Sequence, residues 1–430
     1  MKFTTIKHKP FKKPVFLAAV TAAALLLNGC AAAYAQETVS TTPAAESSAK
    51  VHEPAVHLQK TTAAGSAPDK PIGPGAPQTI EPASVSILMV GDILLHTPVE
   101  EASLQADGTY DFSAIFAHTK EEIQKADLAI VNQEVIIGGE ELGISGYPAF
   151  NAPYAIGHAL VDTGFDVICH GTNHALDKGK KGLLNCLNFW NEQYPATAVL
   201  GIHDSQNDQD QLYIYEQNGM RIAVLNYTYG TNGIALPKDM PYAVDLLNET
   251  QIIEDLKLAE ELADFTIVCP HWGTEYQLQQ SAEQERWAKL FTAYGADLIL
   301  GTHPHVIQPI QWVTHEETGN TALVYYSLGN FVNWTSSSGT GIANRMVGGM
   351  AQVTLAKEND QVMIKDYGIE PVVCHLEPGT NGVTVYPLDE YIVPLAETNQ
   401  IRFQDPAFSL EYCEQLCERV WNETYTSPRS

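Results

Sequence analysis

Gly301-Thr302-His303-Pro304-His305-Val306 follows directly on the apolar run 296–300, whose one acid is Asp297. A run of this length reads as a buried strand, and Gly301 marks where the chain leaves the sheet. In α/β sheets, chemistry gathers at that edge. His303 and His305 are two residues apart, so an extended backbone points both rings the same way, and Pro304 favours that backbone at His303. Two converging imidazoles make half of a metal site. The alternative is a polar loop with two exposed histidines, and the neighbouring segments decide between the two.

Working outward, the same arrangement recurs. The predicted strand 265–269 ends in Pro270-His271-Trp272-Gly273-Thr274-Glu275-Tyr276, and the predicted strand 165–169 ends in His170-Gly171-Thr172-Asn173-His174-Ala175-Leu176-Asp177. Residues 126–131 deliver Asn132-Gln133-Glu134, residues 84–90 deliver Gly91-Asp92, and residues 322–326 lead into Ser327-Leu328-Gly329-Asn330-Phe331. A lone Gly-Asp is an ordinary turn or helix cap. Repeated delivery of metal-capable side chains by successive strands is harder to assign to chance. Helical patterns at about 115–125, 153–163, 249–262 and 282–294, with an amphipathic stretch ending near Trp190, alternate with these strands. Asn218-Gly219 marks a hairpin between 212–215 and 221–227. The pattern is that of an α/β protein, a sheet covered by helices with its loops gathered along one edge. After about residue 345 the chain turns β-rich and closes with a helix near 406–421.

Composition limits the partners. The chain has 430 residues, 45% hydrophobic, enough for a sizeable core. Residues 1–30 hold five lysines and no acid, and without them 19 basic residues face 51 acidic ones, a charge of −32. That excludes nucleic acid as a partner class and disfavours broad contact with anionic lipid. Lys2, Lys7, Lys9, Lys12 and Lys13 precede an apolar stretch, 15–27, too short to span a bilayer comfortably, which has the form of an export signal. Leu27-Asn28-Gly29-Cys30 resembles the lipobox of bacterial lipoproteins, in which the signal is cut before the cysteine and the cysteine is lipidated. An ordinary signal cut near Ala33-Tyr34-Ala35 is the alternative, and both place the protein outside the cytoplasm. Residues 31–82, rich in Ala, Thr, Ser and Pro, read as a flexible tether. The folded part is expected over 83–375, with 376–430 as an extension. Export makes disulfides possible among the other six cysteines, although Cys169 and Cys269, at the ends of apolar runs, read better as buried thiols.

Asp92, Glu134, Asn173, His174, His271, His303 and His305 are all oxygen or nitrogen donors with no thiolate, a set suited to Mn, Fe, Zn or Mg. They are too many for one tetrahedral ion and about right for two that share a carboxylate. Such a pair clamps a phosphoryl group and generates hydroxide near neutral pH. His174 is the histidine best placed to stay off the metal and protonate a leaving group.

Gly91-Asp92, the NxE of 132–134, the block Asn173-His174-Ala175-Leu176-Asp177 with Gly179, HWGTEY from His271, GTHPHVIQ from Gly301 and YSLGNF from Tyr326 occur in one order. Together they resemble the bacterial capsule synthesis family associated with poly-γ-glutamate biosynthesis, of calcineurin-like metallophosphoesterase fold, over about residues 84–335. The resemblance implies a four-layer αββα sandwich with a β-rich C-terminal extension. It implies that Asp92 and Glu134 contact or bridge the metals, that Asn173, His271, His303 and His305 are ligands, and that His174 assists the leaving group. His96, Asn132, Glu275 and Asn330, polar residues in or beside these motifs, are candidate substrate contacts. The wider superfamily opens with D-x-H and continues with GDxxD. Here Asp92-Ile93-Leu94 and Asn132-Gln133-Glu134 stand in their places, so one or two divalent ions are expected. Two functions follow. One is a lipid-anchored, metal-dependent hydrolase or transferase acting on a phosphoester or polymer linkage during assembly of an anionic exopolymer. The other is a non-enzymatic subunit that binds the nascent polymer or the membrane-bound synthase. An extracellular phosphatase or nucleotidase is a weaker third.

Overall fold

The computed structural model describes residues 57–60, 83–378 and 382–422. The expected signal, Cys30 and most of the expected tether lie outside the described residues. Within the tether, a short strand β1 (His57–Lys60) runs along the edge of a sheet.

The described chain builds two sheets in three passes. In the first, β2 (Ser84–Ile93), β3 (Leu128–Asn132), β4 (Val167–Cys169) and β5 (Ala198–Leu200) lie side by side, all parallel. Helices Lys120–Lys125, Tyr154–Thr163 and Gly179–Gln193 make the crossovers, as parallel neighbours require. The chain then leaves for a second sheet. β6 (Tyr213–Gln217) and β7 (Met220–Thr228) form the hairpin predicted at Asn218-Gly219, with Asn218 at φ 52° and Gly219 at φ 74°. Next come β8 (Phe265–His271), β9 (Leu298–Leu300), β10 (Ile310–Thr314) and β11 (Thr321–Tyr325), and the sheet order is β1-β6-β7-β8-β9-β11-β10. The third pass returns to the first sheet. β12 (Asn330–Val332) pairs parallel with β2, and β13 (Val347–Glu358), β14 (Gln361–Leu376) and β15 (Val383–Pro387) extend it antiparallel.

Alternation within the second sheet separates the layers. Ala223, Leu225, Val268 and Ile299 pack with Leu256 and Phe291 of helices Glu249–Leu262 and Ala282–Ala293. Their neighbours Val224, Ile267, Leu298 and Leu323 face the other way, into a core shared with Ile87, Met89 and Ile130 of the first sheet. That sheet in turn carries Ile156, Leu160, Leu183 and Trp190 of its own helices. Helix, sheet, sheet and helix therefore stack as four layers, because each sheet has two apolar faces and each helix only one. All six cysteines among the described residues are buried and free.

Two boundaries differ from expectation. The predicted helix at 115–125 divides into a 3-10 turn, Ser113–Phe116, and a helix, Lys120–Lys125. The expected edge at 375/376 falls inside β14, and Cys413, Leu416 and Trp421 of helix Leu410–Trp421 belong to the same core as β2. Trp421 Nε1 donates to Gln308 O at 3.1 Å, just past the His303 loop. The C-terminal stretch is part of the folded unit.

Candidate metal centre

Two glycines let the backbone bring the donors together. A Cβ at Gly91 would stand 1.9 Å from Gly329 O, so only glycine lets β2 run against the 328–330 turn. That approach fixes Asp92, whose amide donates to Gly329 O at 3.0 Å. At Gly301 a Cβ would meet Tyr326 O at 2.3 Å and Trp272 Nε1 at 2.5 Å. Beyond it, Thr302 N donates to Pro270 O and Trp272 N to Thr302 O, both at 3.0 Å, which locks the His271 and His303 loops to each other.

The extended backbone expected at His303 and His305 is not what forms. Their φ angles are 96° and 58°, both on the left-handed side. The amide of His303 donates to the Asp92 carboxylate at 3.3 and 3.4 Å, and the Tyr276 amide donates to Pro304 O at 2.8 Å. These bonds hold the loop in a conformation that local preference opposes, a pattern common where function constrains the chain. The rings still converge, with centroids 5.6 Å apart.

Glu134 is the hub. It is fully buried, and neither carboxylate oxygen has a hydrogen-bond partner. Its Oε1 lies 3.6 Å from His271 Nε2, 3.6 Å from His305 Nε2 and 3.9 Å from His174 Nε2. His303 Nδ1 and Asn132 Oδ1 are likewise buried and unpartnered. Two groups of donors follow, Glu134 with His271 and His303, and Asp92 with Glu134 and His305, each with its ligand atoms within 4.8 Å of one another. Buried polar atoms are seldom left without partners. Here they are the two Glu134 carboxylate oxygens, His303 Nδ1 and the Asn132 amide oxygen, gathered about the donor groups, so the residues fit one or two divalent ions with Glu134 shared.

The charges respond to this crowding. Burial raises the Asp92 carboxyl, and the neighbouring Glu134 raises it further. Burial also acts upward on Glu134, but His305, His271 and His174 outweigh it and hold that carboxyl well below the usual range. On His305 burial acts downward, yet Glu134 and Asp92 lift it to about 9. Burial, followed by His271 and His305, pushes His303 well below the usual imidazole range. A carboxylate inside a ring of imidazoles is the electrostatic setting that a cation would share.

The remaining candidates fall into place around the hub. Asn173 Oδ1 is 2.9 Å from His271 Nε2. His174 Nδ1 is 2.6 Å from Asp177 Oδ2, which leaves Nε2 on the side of Glu134. His170, at the start of the same block, turns away into the core beside Trp190, and burial pushes it down to about 3. Asn132 and Asn330, candidate substrate contacts, are buried. Asn132 Nδ2 donates to Asp92 Oδ1 at 2.9 Å, while Asn330 sets Oδ1 3.1 Å from His305 Nδ1 and donates to His305 O and Arg345 O. His96 stacks edge-on against Phe150, which also meets His174, and burial and then His305 depress it to about 4. Glu275 is exposed in the loop after β8, where its charge reaches Tyr229, Tyr276 and His305. The sequence reading missed Asp177 as the partner of His174, although the spacing of three was visible. It also missed Thr302 at 3.1 Å from His271 Nδ1, Asn232 beside His174 and Tyr229 against His303. Nothing in the local pattern marks the last two.

Comparison with known proteins gives two curated relatives. The chain is 34% identical to the PGA biosynthesis protein CapA of Bacillus subtilis over 181 residues, 41% of this chain and 45% of that protein. It is 27% identical to the capsule biosynthesis protein CapA of Bacillus anthracis over 269 residues, 59% of this chain and 62% of that one. It thus spans about half of the first relative and less than two thirds of the second. Among solved structures, the calcineurin-like phosphoesterase YfkN of Bacillus subtilis aligns at 16% identity and a TM-score of 0.41, covering 78% of this chain and 100% of that chain. The 5'-nucleotidase precursor of Thermus thermophilus aligns at 14% and 0.44, covering 67% and 54%. The family described as bacterial capsule synthesis protein PGA_cap matches residues 86–335. Those residues are more than half of the chain and contain both donor groups, and the chain belongs to the bacterial capsule synthesis protein family.

Proposed function

We propose that the protein is a lipid-anchored, extracytoplasmic component of capsule assembly that holds one or two divalent metal ions on Glu134 and uses them to cleave or transfer a phosphoester or polymer linkage of an anionic exopolymer of the poly-γ-glutamate class. The observation that carries this reading is Glu134, a buried carboxylate with two unpartnered oxygens shared by two groups of donors. Family membership supports the polymer, and the export signal with Cys30 supports the anchor.

Asp92, Glu134, His271, His303 and His305 would hold the metal, with Asn173 beside His271. A divalent ion in that position supplies Lewis acidity and neutralises negative charge on the reacting group. Asp177 accepts from His174 Nδ1 and so fixes the ring. His174 Nε2 faces the centre, on the side from which a proton would be handed to a leaving oxygen. Tyr229 packs its ring against His303, with centroids 4.6 Å apart.

The test is turnover of a chromogenic phosphodiester, and of γ-linked glutamate polymer, by protein reconstituted with Mn or Zn. Metal-stimulated turnover that His174→Ala reduces supports the reading. Metal binding without turnover on either substrate would give way to the second reading, an accessory subunit that binds polymer or synthase. That reading draws on Leu94, a buried leucine where the superfamily's D-x-H carries a histidine.

A further inference from the structure

Arg345 lies outside the six sequence motifs, in the short 3-10 turn Ile342–Met346 between β12 and β13. Several cations of this acidic chain have acidic partners. Arg221 pairs with Asp264, Arg286 with Glu283 and Glu249, and Lys180 with Asp239. The Arg345 guanidinium makes no hydrogen bond or ion pair among the described residues, and its Nε is buried without a partner. It lies instead over the ring of Tyr276, 3.6 Å from the centroid.

Two connections hold this stack beside the donor group of Asp92, Glu134 and His305. The Arg345 carbonyl accepts from Asn330 Nδ2 at 3.0 Å, and Asn330 Oδ1 stands 3.1 Å from His305 Nδ1. On the other side, Tyr276 donates its amide to Pro304 O at 2.8 Å, and its ring centroid is 6.0 Å from that of His305. The charge of Arg345 is felt at His96, whose ring also senses His305, Glu134 and His174. A guanidinium is always charged and presents five donors in a planar fork. Stacking on an aromatic face fixes its plane and leaves the N–H edge free to meet a ligand. A buried charged donor without a partner is costly, and an anion from outside the chain removes that cost.

We propose that Arg345, stacked on Tyr276, binds an oxyanion of the substrate next to the linkage held at the metal centre. This deepens the proposed function and rests on it. The fork suits either a phosphate oxygen pair or a carboxylate. The first source is a phosphoester substrate and the second is the pendant carboxylate of an acidic polymer.

The test is titration of the metal-reconstituted full chain with two probes, inorganic phosphate and a γ-linked glutamate oligomer, alongside metal analysis of each variant. Arg345→Gln is expected to keep the wild-type metal content and to bind at least one probe about tenfold more weakly or worse. Arg345→Lys, which keeps the charge and loses the fork, recovers part of that affinity. Tyr276→Ala, which leaves Arg345 in place but unstacked, gives a smaller loss and guards against misfolding of the first variant. Loss confined to phosphate assigns the phosphoester source, and loss confined to the oligomer assigns the polymer. Wild-type affinity for both probes in Arg345→Gln with metal retained overturns the assignment while leaving the metal centre standing, and so does failure of the wild type to bind either probe. A wild type without metal overturns the reading of the centre itself.

Discussion

Glu134 has its carboxylate oxygens among three imidazoles without a hydrogen-bond partner, while its backbone carbonyl accepts from Thr172 Oγ1 at 2.8 Å. Its neighbour in function is His174, whose use as a proton donor depends on Asp177. Asp177→Asn keeps the shape and removes the carboxylate that accepts from His174 Nδ1 and orients the ring. The expected outcome is a fall in kcat on a chromogenic phosphodiester of about a hundredfold with little change in KM. Unchanged kcat would remove His174 from the chemistry. The identities of these residues were legible from the sequence because each motif follows an apolar run. Their geometry was legible only in part. His303 and His305 converge through positive φ angles stabilised by Asp92 and by a tyrosine amide, long-range contacts that no local pattern encodes. Arg345 was invisible for a related reason, since its place beside the centre comes from a turn that returns between β12 and β13.

At the level of elements, the long apolar strands and the capped helices were readable. Helix Glu249–Leu262 begins at the Asn248 cap, and Ala282–Ala293 begins with a capping box of Ser281 and Gln284. Strands β5, β10 and β12 were not, because two have three residues and β10 is largely exposed along its length. The division into two sheets came from the family resemblance and not from the strand pattern, since strands buried on both faces lack the alternation that would assign them. The crossing at Gly91 gives a direct test. Gly91→Ala forces β2 away from the 328–330 turn, with an expected cost of about 1–3 kcal/mol in chemical denaturation and weaker metal retention through Asp92. Wild-type stability and metal content would mean that the approach is looser than described. A second link is His203, which joins the turn after β5 to Asp245 at 2.7 Å and Asp208 at 3.1 Å. Burial acts downward on this ring, but Asp245 and then Asp208 raise it to about 10, above its ordinary value of 6.5. The folded state therefore holds a proton that the unfolded chain gives up at lower pH. Its contribution is full below about pH 6.5 and is lost as pH rises toward 10. His203→Gln should destabilise by roughly 1–3 kcal/mol near pH 6, with a deficit that shrinks by pH 10. A deficit independent of pH would show that the residue acts by packing alone.

Across the whole molecule, the two sheets and the C-terminal helix act as one unit around the centre. Trp421 is buried at the far end of the chain yet donates to Gln308, three residues past His305. Trp421→Ala is expected to cost about 3–5 kcal/mol, read as a lower denaturation midpoint. A silent substitution would restore the separate extension that the sequence suggested. The two donor groups that share Glu134 could hold a cation at this centre. The most direct measurement is the metal content of the purified full chain, after reconstitution with Mn or Zn, for the wild type and for Glu134→Gln. The account predicts one to two ions per chain in the wild type, in line with the two donor groups, and loss of most of them in a variant that still folds. An equal content in both proteins, or none in the wild type, would contradict a metal centre built on Glu134.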